Sequence, residues 1–375
     1  MIIYIEKQAI DYPQTKKVLE KFKNSQVIYI NNYKNLFDKN YSNIDSKKAL
    51  IIAKLNTNSV SDAPVWYGHT KQSYFFKTSL NCIFDCSYCY LKWAFKNENM
   101  VIFVNYDDIK NDIEDKIKKI PLSQPFPPGE KGVDKSVASS LLRSNFEDSR
   151  ASTPVSVIPW GETEKGIWFY SSDYSDILWM DMFSWFCEEF IAFFETLNLS
   201  PLGGKYPQGD RGIFMEIRTK SSNIKPLLNL WFIPKNTEIA FSLNPQILID
   251  KYEKSTSSLD ARIEAINKLI SLWFKVGIRF LPLLPIKDYE KIYWEFINYI
   301  SERIDFWKIN STFASGLLYT KKDYNKILSK YPELDILHML SLDNDWFYRE
   351  SKKVRDIFYS MFKNLDKKCI LCLEN

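Results

Sequence analysis

Histidine is almost missing from this sequence: 375 residues contain two, His69 and His338. That scarcity argues against a His-rich zinc centre and against a Ser-His or Cys-His catalytic arrangement. Cysteine is scarce too, with six in the chain. Three cluster at Cys82, Cys86 and Cys89, Cys187 stands alone, and Cys369 and Cys372 lie close together. This is no disulfide framework for a chain of such length. Long apolar runs are absent as well. The most apolar stretch, Ile177 to Phe194, is broken by Asp181, Glu188 and Glu189, so no membrane-spanning helix is expected. The opening apolar run is too short for a secretory signal and ends at Glu6, and a cytoplasmic location is the expectation. Charge of one sign is also lacking. Fifty basic and 46 acidic residues leave +4, which permits a nucleic-acid partner without pointing to one.

What the chain does have is apolar and aromatic material. The hydrophobic fraction is 45%, with 22 Tyr, 26 Phe and 11 Trp, enough for a substantial core. Residues 1–65 read as a small α/β unit, with strand-like Ile2–Ile5 and Val27–Ile30 around an amphipathic helix at Gln14–Lys23. From Ser73 onward strands and helices alternate. Strands are expected at Ser73–Thr78, Val101–Asn105, Ile167–Tyr170, Ile213–Thr219, Glu238–Leu243, Ile278–Leu284 and Phe306–Ile309. Helices are expected at Tyr106–Lys119, Asp176–Leu197, near 223–231, Ser258–Lys275 and Tyr289–Arg303. Such alternation implies a parallel sheet, open or closed into a full or partial barrel. Chemistry in barrels of this type sits at the C-terminal strand ends. The Pro-, Ser- and Gly-rich stretch 121–166 and the segment 200–212 read as loop insertions, and 311–375 as a C-terminal helical extension.

The stretch Cys82-Ile83-Phe84-Asp85-Cys86-Ser87-Tyr88-Cys89 follows the first strand of the alternating region with spacing C-x3-C-x2-C. Most iron–sulfur clusters take four thiolates. Three in one tight loop leave one iron open, and an open position marks a catalytic metal site. The amino and carboxylate groups of S-adenosylmethionine (SAM) fill that position in one large enzyme superfamily. Tyr88, just before the third cysteine, offers a ring for an adenine. Zinc would need a fourth ligand, which Cys369 or Cys372 could supply only across nearly the whole chain.

The motif and its surroundings resemble the spore photoproduct lyase family of radical SAM enzymes. The likeness runs through Ile5-Glu6-Lys7-Gln8-Ala9-Ile10-Asp11-Tyr12-Pro13, the cluster loop to Leu91, Ile217-Arg218-Thr219-Lys220 and Phe241-Ser242-Leu243-Asn244. It continues through Tyr252 to Arg262 and Phe347-Tyr348-Arg349-Glu350. The resemblance implies a partial (β/α)6 TIM-type barrel holding a [4Fe–4S] cluster on Cys82, Cys86 and Cys89. It implies reductive cleavage of SAM to a 5′-deoxyadenosyl radical that attacks a thymine dimer in DNA. Damaged DNA and an electron donor such as flavodoxin or ferredoxin are the implied partners. By position, Tyr88 and Tyr90 would lie beside SAM and substrate, and Ser172 and Asp173 at a strand end near the cofactor. Lys220 would pair with the SAM carboxylate, with Ser242 and Asn244 in the same pocket.

One position departs from the family. A hydrogen-donating cysteine is expected just before a Thr-Ser-Asp run, and this chain has Tyr170-Ser171-Ser172-Asp173. A phenol is a poorer hydrogen donor, though it can relay a radical, so the substrate reaction is less firmly implied than SAM cleavage. A peptide, an RNA base or a small nucleotide stays open as substrate, as does a non-catalytic iron–sulfur protein that senses redox state or binds nucleic acid. Cys187 reads as core, Cys369 and Cys372 as a frayed tail ahead of a metal-binding or disulfide pair, and Arg262 as a solvated helix charge ahead of a partner for a carboxylate such as Glu264 or for a ligand. The basic run Lys352 to Arg355, with Arg349, reads as a solvated face or as phosphate contacts.

Overall fold

The computed structural model describes residues 2–37, 49–64, 67–70, 72–120, 166–199 and 212–372. The stretches expected as insertions, 121–166 and 200–212, therefore lie outside the described residues apart from Gly166 and Gly212. Strands are numbered in chain order. β1 (Ile2–Glu6) and β2 (Gln26–Ile30) pair in parallel around the helix Pro13–Lys21. Pro13 opens that helix, where a missing N–H is harmless. β3 (Leu50–Ala53) joins the other side of β1. β4 (Val60–Asp62) and β5 (Ser73–Phe76) form an antiparallel pair, followed by β6 (Ser79–Leu80), β7 (Asp85–Cys86) and β8 (Met100–Phe103).

β8 does not take the place in the barrel series that its position in the alternation implies. It pairs with β3, giving a separate sheet in the order β2-β1-β3-β8-β6. Every side chain of β3 and β8 is buried. A strand apolar on both faces carries no signal of which sheet it joins.

The second sheet is the barrel. β9 (Ile167–Tyr170), β10 (Ile213–Thr219), β11 (Thr237–Ser242) and, beyond the short β12 (Glu253–Lys254), β13 (Lys275–Phe280) and β14 (Ser311–Ala314) all run parallel. β15 (Tyr319–Thr320), β16 (Ser341–Leu342) and β17 (Phe347–Arg349) form a small antiparallel sheet. β18 (Ile370–Leu371) pairs with β14. The curled eight-stranded order is β18-β14-β13-β11-β10-β9-β5-β4. The Cys369–Cys372 segment is thus an edge strand with both cysteines buried, not a frayed tail.

Strand alternation divides this sheet cleanly. Ile213, Met215, Ile217, Ile239, Phe241, Val276 and Ile278 join the main apolar core with the helices. Their neighbours in sequence face a polar lumen. Arg279 of β13 donates from Nη2 to Glu216 Oε2 of β10 (2.6 Å) and Glu238 Oε1 of β11 (2.5 Å), and from Nη1 to Ser311 Oγ of β14 (2.9 Å). Arg218 donates to Glu216 Oε1 at 2.9 Å. Burial alone would raise the Glu238 carboxyl, but Arg279 and His69 overcome it and bring it to about 2. Glu216 is likewise held well below its usual range, by Arg218 and Arg279.

This lumen explains a missed strand. Phe306–Lys308 is a 3-10 turn capped by Asp305, and the real strand is β14, whose Ser311 and Thr312 look unlike a strand until their partners Glu238 and Asp366 are known. The expected helix 176–197 also departs from a single rod. Trp185 turns left-handed at φ 54°, and a π-turn at Cys187–Ile191 follows. Cys187, at 1% exposure, is core.

Loop 67–70 packs into the lumen. His69 stacks on Trp168 of β9 at 3.6 Å and meets Phe313 of β14 at 4.7 Å, bridging distant strands. Its N–H donates to the Tyr170 hydroxyl at 2.7 Å. Gly68 has φ +88°, and a Cβ there would sit 1.8 Å from that hydroxyl, so only glycine fits.

The C-terminal helix Lys321–Lys330 packs on β15, β17 and the short helix Leu91–Ala94, and Lys352–Leu365 packs on the helix Tyr289–Ser301. Phe362 packs on Phe280 and Phe358 on Tyr293. Glu350, after β17, is buried against Gly316, where a Cβ would meet Oε1 at 2.1 Å. Leu317 N donates to Oε1 at 2.8 Å, while Oε2 has no partner. Burial pushes this carboxyl up to about 7.

Two outcomes are expected. Arg279→Met strands two buried carboxylates and lowers the unfolding free energy by about 3–5 kcal/mol in urea titrations; a loss below about 1 kcal/mol would show the lumen network to be dispensable. Because the Glu350 carboxyl is raised in the fold, its contribution is full below its ordinary pKa and is lost as pH rises through about 7. Glu350→Gln should therefore gain stability relative to wild type as pH increases over that window, and parallel stability curves for the two proteins would contradict the assignment.

Candidate cofactor site at the mouth of the barrel

The cysteine loop is stapled on both sides. At its start Asn81, left-handed at φ 65°, donates from Nδ2 to Asn97 O and Asn99 O, both at 2.8 Å. In its middle β7 pairs antiparallel with β12, placing Cys86 opposite Glu253, and Ser87 N donates to Tyr252 O at 2.7 Å. Lys92 closes back on Asp85 at 2.5 Å. The loop is therefore held between the N-terminal sheet and the segment that follows β11.

The three thiols feel one another. Burial pushes Cys82 up to about 12, with Asp176 and Cys89 adding to it. Cys86 is raised well above its ordinary value by burial, against the pull of Lys220, and Cys89 is raised by burial as well. A thiol in this setting becomes a thiolate when a metal takes the place of its proton. Among the described residues, the one trio of His, Cys, Asp or Glu with ligand atoms within 4.8 Å is His69, Glu216 and Glu238. The three thiols stand on one loop and couple electrostatically, as suits a cluster that puts a separate iron on each thiolate. The His69 trio does not suit a cation, because the Arg279 guanidinium already binds both carboxylates and lies 3.2 Å from His69 Nε2.

Glu253 is the hub of the site. Its Oε1 accepts from the Tyr88 hydroxyl and from Asn244 Nδ2 (2.9 Å), and lies 3.2 Å from Lys220 Nζ. Its Oε2 accepts from Arg262 Nη2 at 2.7 Å. Burial would raise this carboxyl, but Lys220 and Arg262 outweigh it and lower it to about 2. Arg262 also donates to Ser242 O (2.8 Å), Ser257 O (2.9 Å) and Thr256 Oγ1 (2.7 Å). At 0% exposure, it is no solvated helix charge. The helix Leu259–Ser271 starts at Ser258 and turns Arg262 inward.

The expected site residues fall into two groups. Cys86, Tyr88, Lys220 and Asn244 come together around Glu253, Ser242 is tied to it through Arg262, and Cys82 and Cys89 stand on the same loop as Cys86. Beside them, Tyr90 donates to Asp173 O at 2.6 Å and Oδ2 at 3.1 Å, and Ser172 Oγ accepts from Arg218 N at 3.1 Å. Asp176 caps the helix Ile177–Ser184 and accepts from Thr219 Oγ1 and Lys220 N, tying that helix to the end of β10. Tyr170 belongs elsewhere: it is 2% exposed, enclosed by Tyr67, Gly68 and His69. Of the basic run, Arg349 and Arg355 turn back onto Asp343. Sequence reasoning missed Glu253 at the site and Glu216, Glu238 and Arg279 in the lumen. The available signal was a charge at an alternate position inside an otherwise apolar strand, as in Met215-Glu216-Ile217 and Ile278-Arg279-Phe280.

The donor set fits a SAM-bound [4Fe–4S] cluster. Three thiols stand on one loop, an ammonium stands at a barrel strand end, and Asn244 Oδ1 and Ser175 Oγ are buried without partners, open for hydrogen bonds that a polar ligand supplies. No described helix is long and apolar enough to cross a membrane.

Comparison with known proteins agrees with this architecture. A family model for spore photoproduct lyase matches residues 207–353. The chain is 23% identical over 339 residues to the spore photoproduct lyase of Clostridium acetobutylicum, covering 88% of this chain and 82% of that one. It is 21% identical over 316 residues to the Geobacillus sp. enzyme, covering 81% and 74%. A solved spore photoproduct lyase variant with bound AdoMet and dinucleoside spore photoproduct superposes with a TM-score of 0.71 at 16% identity, covering 99% of this chain and 97% of that one. A different variant, in complex with dinucleoside spore photoproduct, gives 0.70 at 17%, with the same coverage. With the curled parallel sheet and the three-cysteine loop at its mouth, these matches show that the chain shares the spore photoproduct lyase fold over nearly its whole length.

Proposed function

We propose that the protein is a radical SAM lyase acting on a DNA pyrimidine photolesion. The observation that carries this reading is the three-cysteine loop fixed over the barrel's strand ends, with Lys220 and the buried acceptors Asn244 Oδ1 and Ser175 Oγ beside it. Cys82, Cys86 and Cys89 would hold a [4Fe–4S] cluster, with one iron left for SAM. That group, once bound, supplies one-electron reductive cleavage of SAM to a hydrogen-abstracting 5′-deoxyadenosyl radical. Lys220 offers its ammonium to the SAM carboxylate. Tyr88 shapes the loop wall, and Tyr90 holds Asp173 at the end of β9. A flavodoxin or ferredoxin would deliver the electron. The lesion substrate is supported by solved relatives that carry dinucleoside spore photoproduct.

A second reading, in which the same chemistry modifies an RNA base, a peptide or a small nucleotide, is favoured by one observation. Tyr170 stands where the family has its hydrogen-donating thiol, and loop 67–70 shuts it away. We assign Tyr170 to the barrel wall.

Anaerobic reconstitution followed by dithionite and SAM should yield 5′-deoxyadenosine, and the yield should rise with lesion-bearing DNA over undamaged DNA. No deoxyadenosine would leave only a non-catalytic iron–sulfur protein. Product that ignores DNA would favour the second reading. Cys86→Ala should lose iron and product together. Tyr170→Phe should cleave SAM at close to the wild-type rate, with stability lower by about 1–3 kcal/mol for the acceptor taken from His69 N–H. A Tyr170→Phe protein that is stable but inert would return Tyr170 to the chemistry.

A further inference from the structure

Two parts of the site come from segments far apart in sequence, and one buried carboxylate joins them. Glu253 faces Cys86 across the β7–β12 pair, binds the hydroxyl of Tyr88 one residue before Cys89, and lies 3.2 Å from Lys220 Nζ. We propose that Glu253 is a positioning residue for the cofactor: through Lys220 it aims an ammonium at the incoming carboxylate, and through Tyr88 it fixes the pitch of the thiolate loop. The inference rests on the radical SAM reading and deepens it.

The geometry around each partner carries the argument. An ammonium has three donors. Lys220 points one at Glu253 and one at Leu281 O (3.3 Å), which fixes the direction of the third. Its ammonium also lies 5.7 Å from the Tyr88 ring centroid, so the cation and the loop are set against each other directly. Glu253 itself cannot drift. Arg262 holds Oε2 at 2.7 Å and is anchored to Ser242, Thr256 and Ser257, while Asn244 holds Oε1.

Charge points the same way. Arg262 already answers Glu253 at Oε2, so the Lys220 ammonium, which also faces the Asp176 carboxyl, is not spent on Glu253 alone and can turn to an arriving carboxylate. A carboxylate serving only to neutralise Arg262 would have no need to bind the cysteine loop or Lys220. Glu253 does both.

The test is a double-mutant cycle on the reconstituted full chain, reading iron content, SAM dissociation constant and cluster midpoint potential. Glu253→Gln should load iron as wild type does, weaken SAM binding about tenfold through loss of a charge-assisted contact, and shift the potential positive by removing a buried negative charge. In a Lys220→Ala background, Glu253→Gln should weaken SAM binding no further. Additive losses, or unchanged affinity and potential in Glu253→Gln, would overturn the proposal. Glu253→Asp keeps the charge and serves if the Gln protein does not fold: it should hold the potential while losing SAM affinity, and an Asp variant with wild-type affinity would equally overturn it. A wild-type protein that takes up no iron or binds no SAM sinks the functional reading itself, and this inference with it.

Discussion

Glu253 is enclosed by protein, and an ionised carboxylate in such a place is tolerable only where cations and hydrogen-bond donors answer it. Arg262, Lys220, Asn244 and Tyr88 supply that answer, and each comes from a different segment. The end of β11, the first turn of the helix Leu259–Ser271, the end of β10 and the cysteine loop are therefore fixed relative to one another by a single side chain. Local contacts from Asn81 and Lys92 brace the loop, but among the described residues its two-residue strand β7 pairs only with β12, so Glu253 contributes both backbone pairing and side-chain contacts that hold the loop against the barrel.

A second buried charge system lies deeper, within the lumen, and solves a different problem. A partial barrel must fill its interior, and here Glu216, Glu238, Arg279 and Arg218 do so with matched charges instead of apolar side chains. Breaking any member leaves an uncompensated ion, which makes the interior intolerant of substitution even though replacement of a whole charge set by apolar residues can be neutral in other proteins. His69 completes the filling from outside the sheet by reaching across from Trp168 to Phe313.

These two systems decide what the sequence reveals. The helices Tyr106–Lys119, Leu259–Ser271 and Tyr289–Ser301 and the strands β9 and β10 were legible because one face of each meets an apolar core, and periodicity reports that directly. β14 was not, because its partners are a lumen glutamate and a distant aspartate. The parentage of β8 was hidden for the opposite reason: buried on both sides, it is uniformly apolar. At the site, the cysteines announce themselves by spacing, whereas Glu253 acts across 165 residues to Tyr88 and leaves no local trace. Arg262 looked like one more charge on an exposed helix, since three-dimensional context alone turns it inward.

Tyr170 and loop 67–70 form a single feature. The phenol hydroxyl accepts from His69 N–H, its ring meets Tyr67 edge-on at 5.0 Å, and its oxygen occupies the space that any side chain at position 68 would need. A cysteine at 170 would leave that amide without its acceptor and the loop without its support. The tyrosine is therefore bound to a local architecture, and the departure from the family's thiol changes the wall of the barrel as well as one functional group. Around Glu253, by contrast, the cysteine loop, Lys220 and Asn244 stand together at the strand ends. The cysteine loop and Lys220 are thus fixed by several independent contacts, while position 170 is given over to the wall of the barrel.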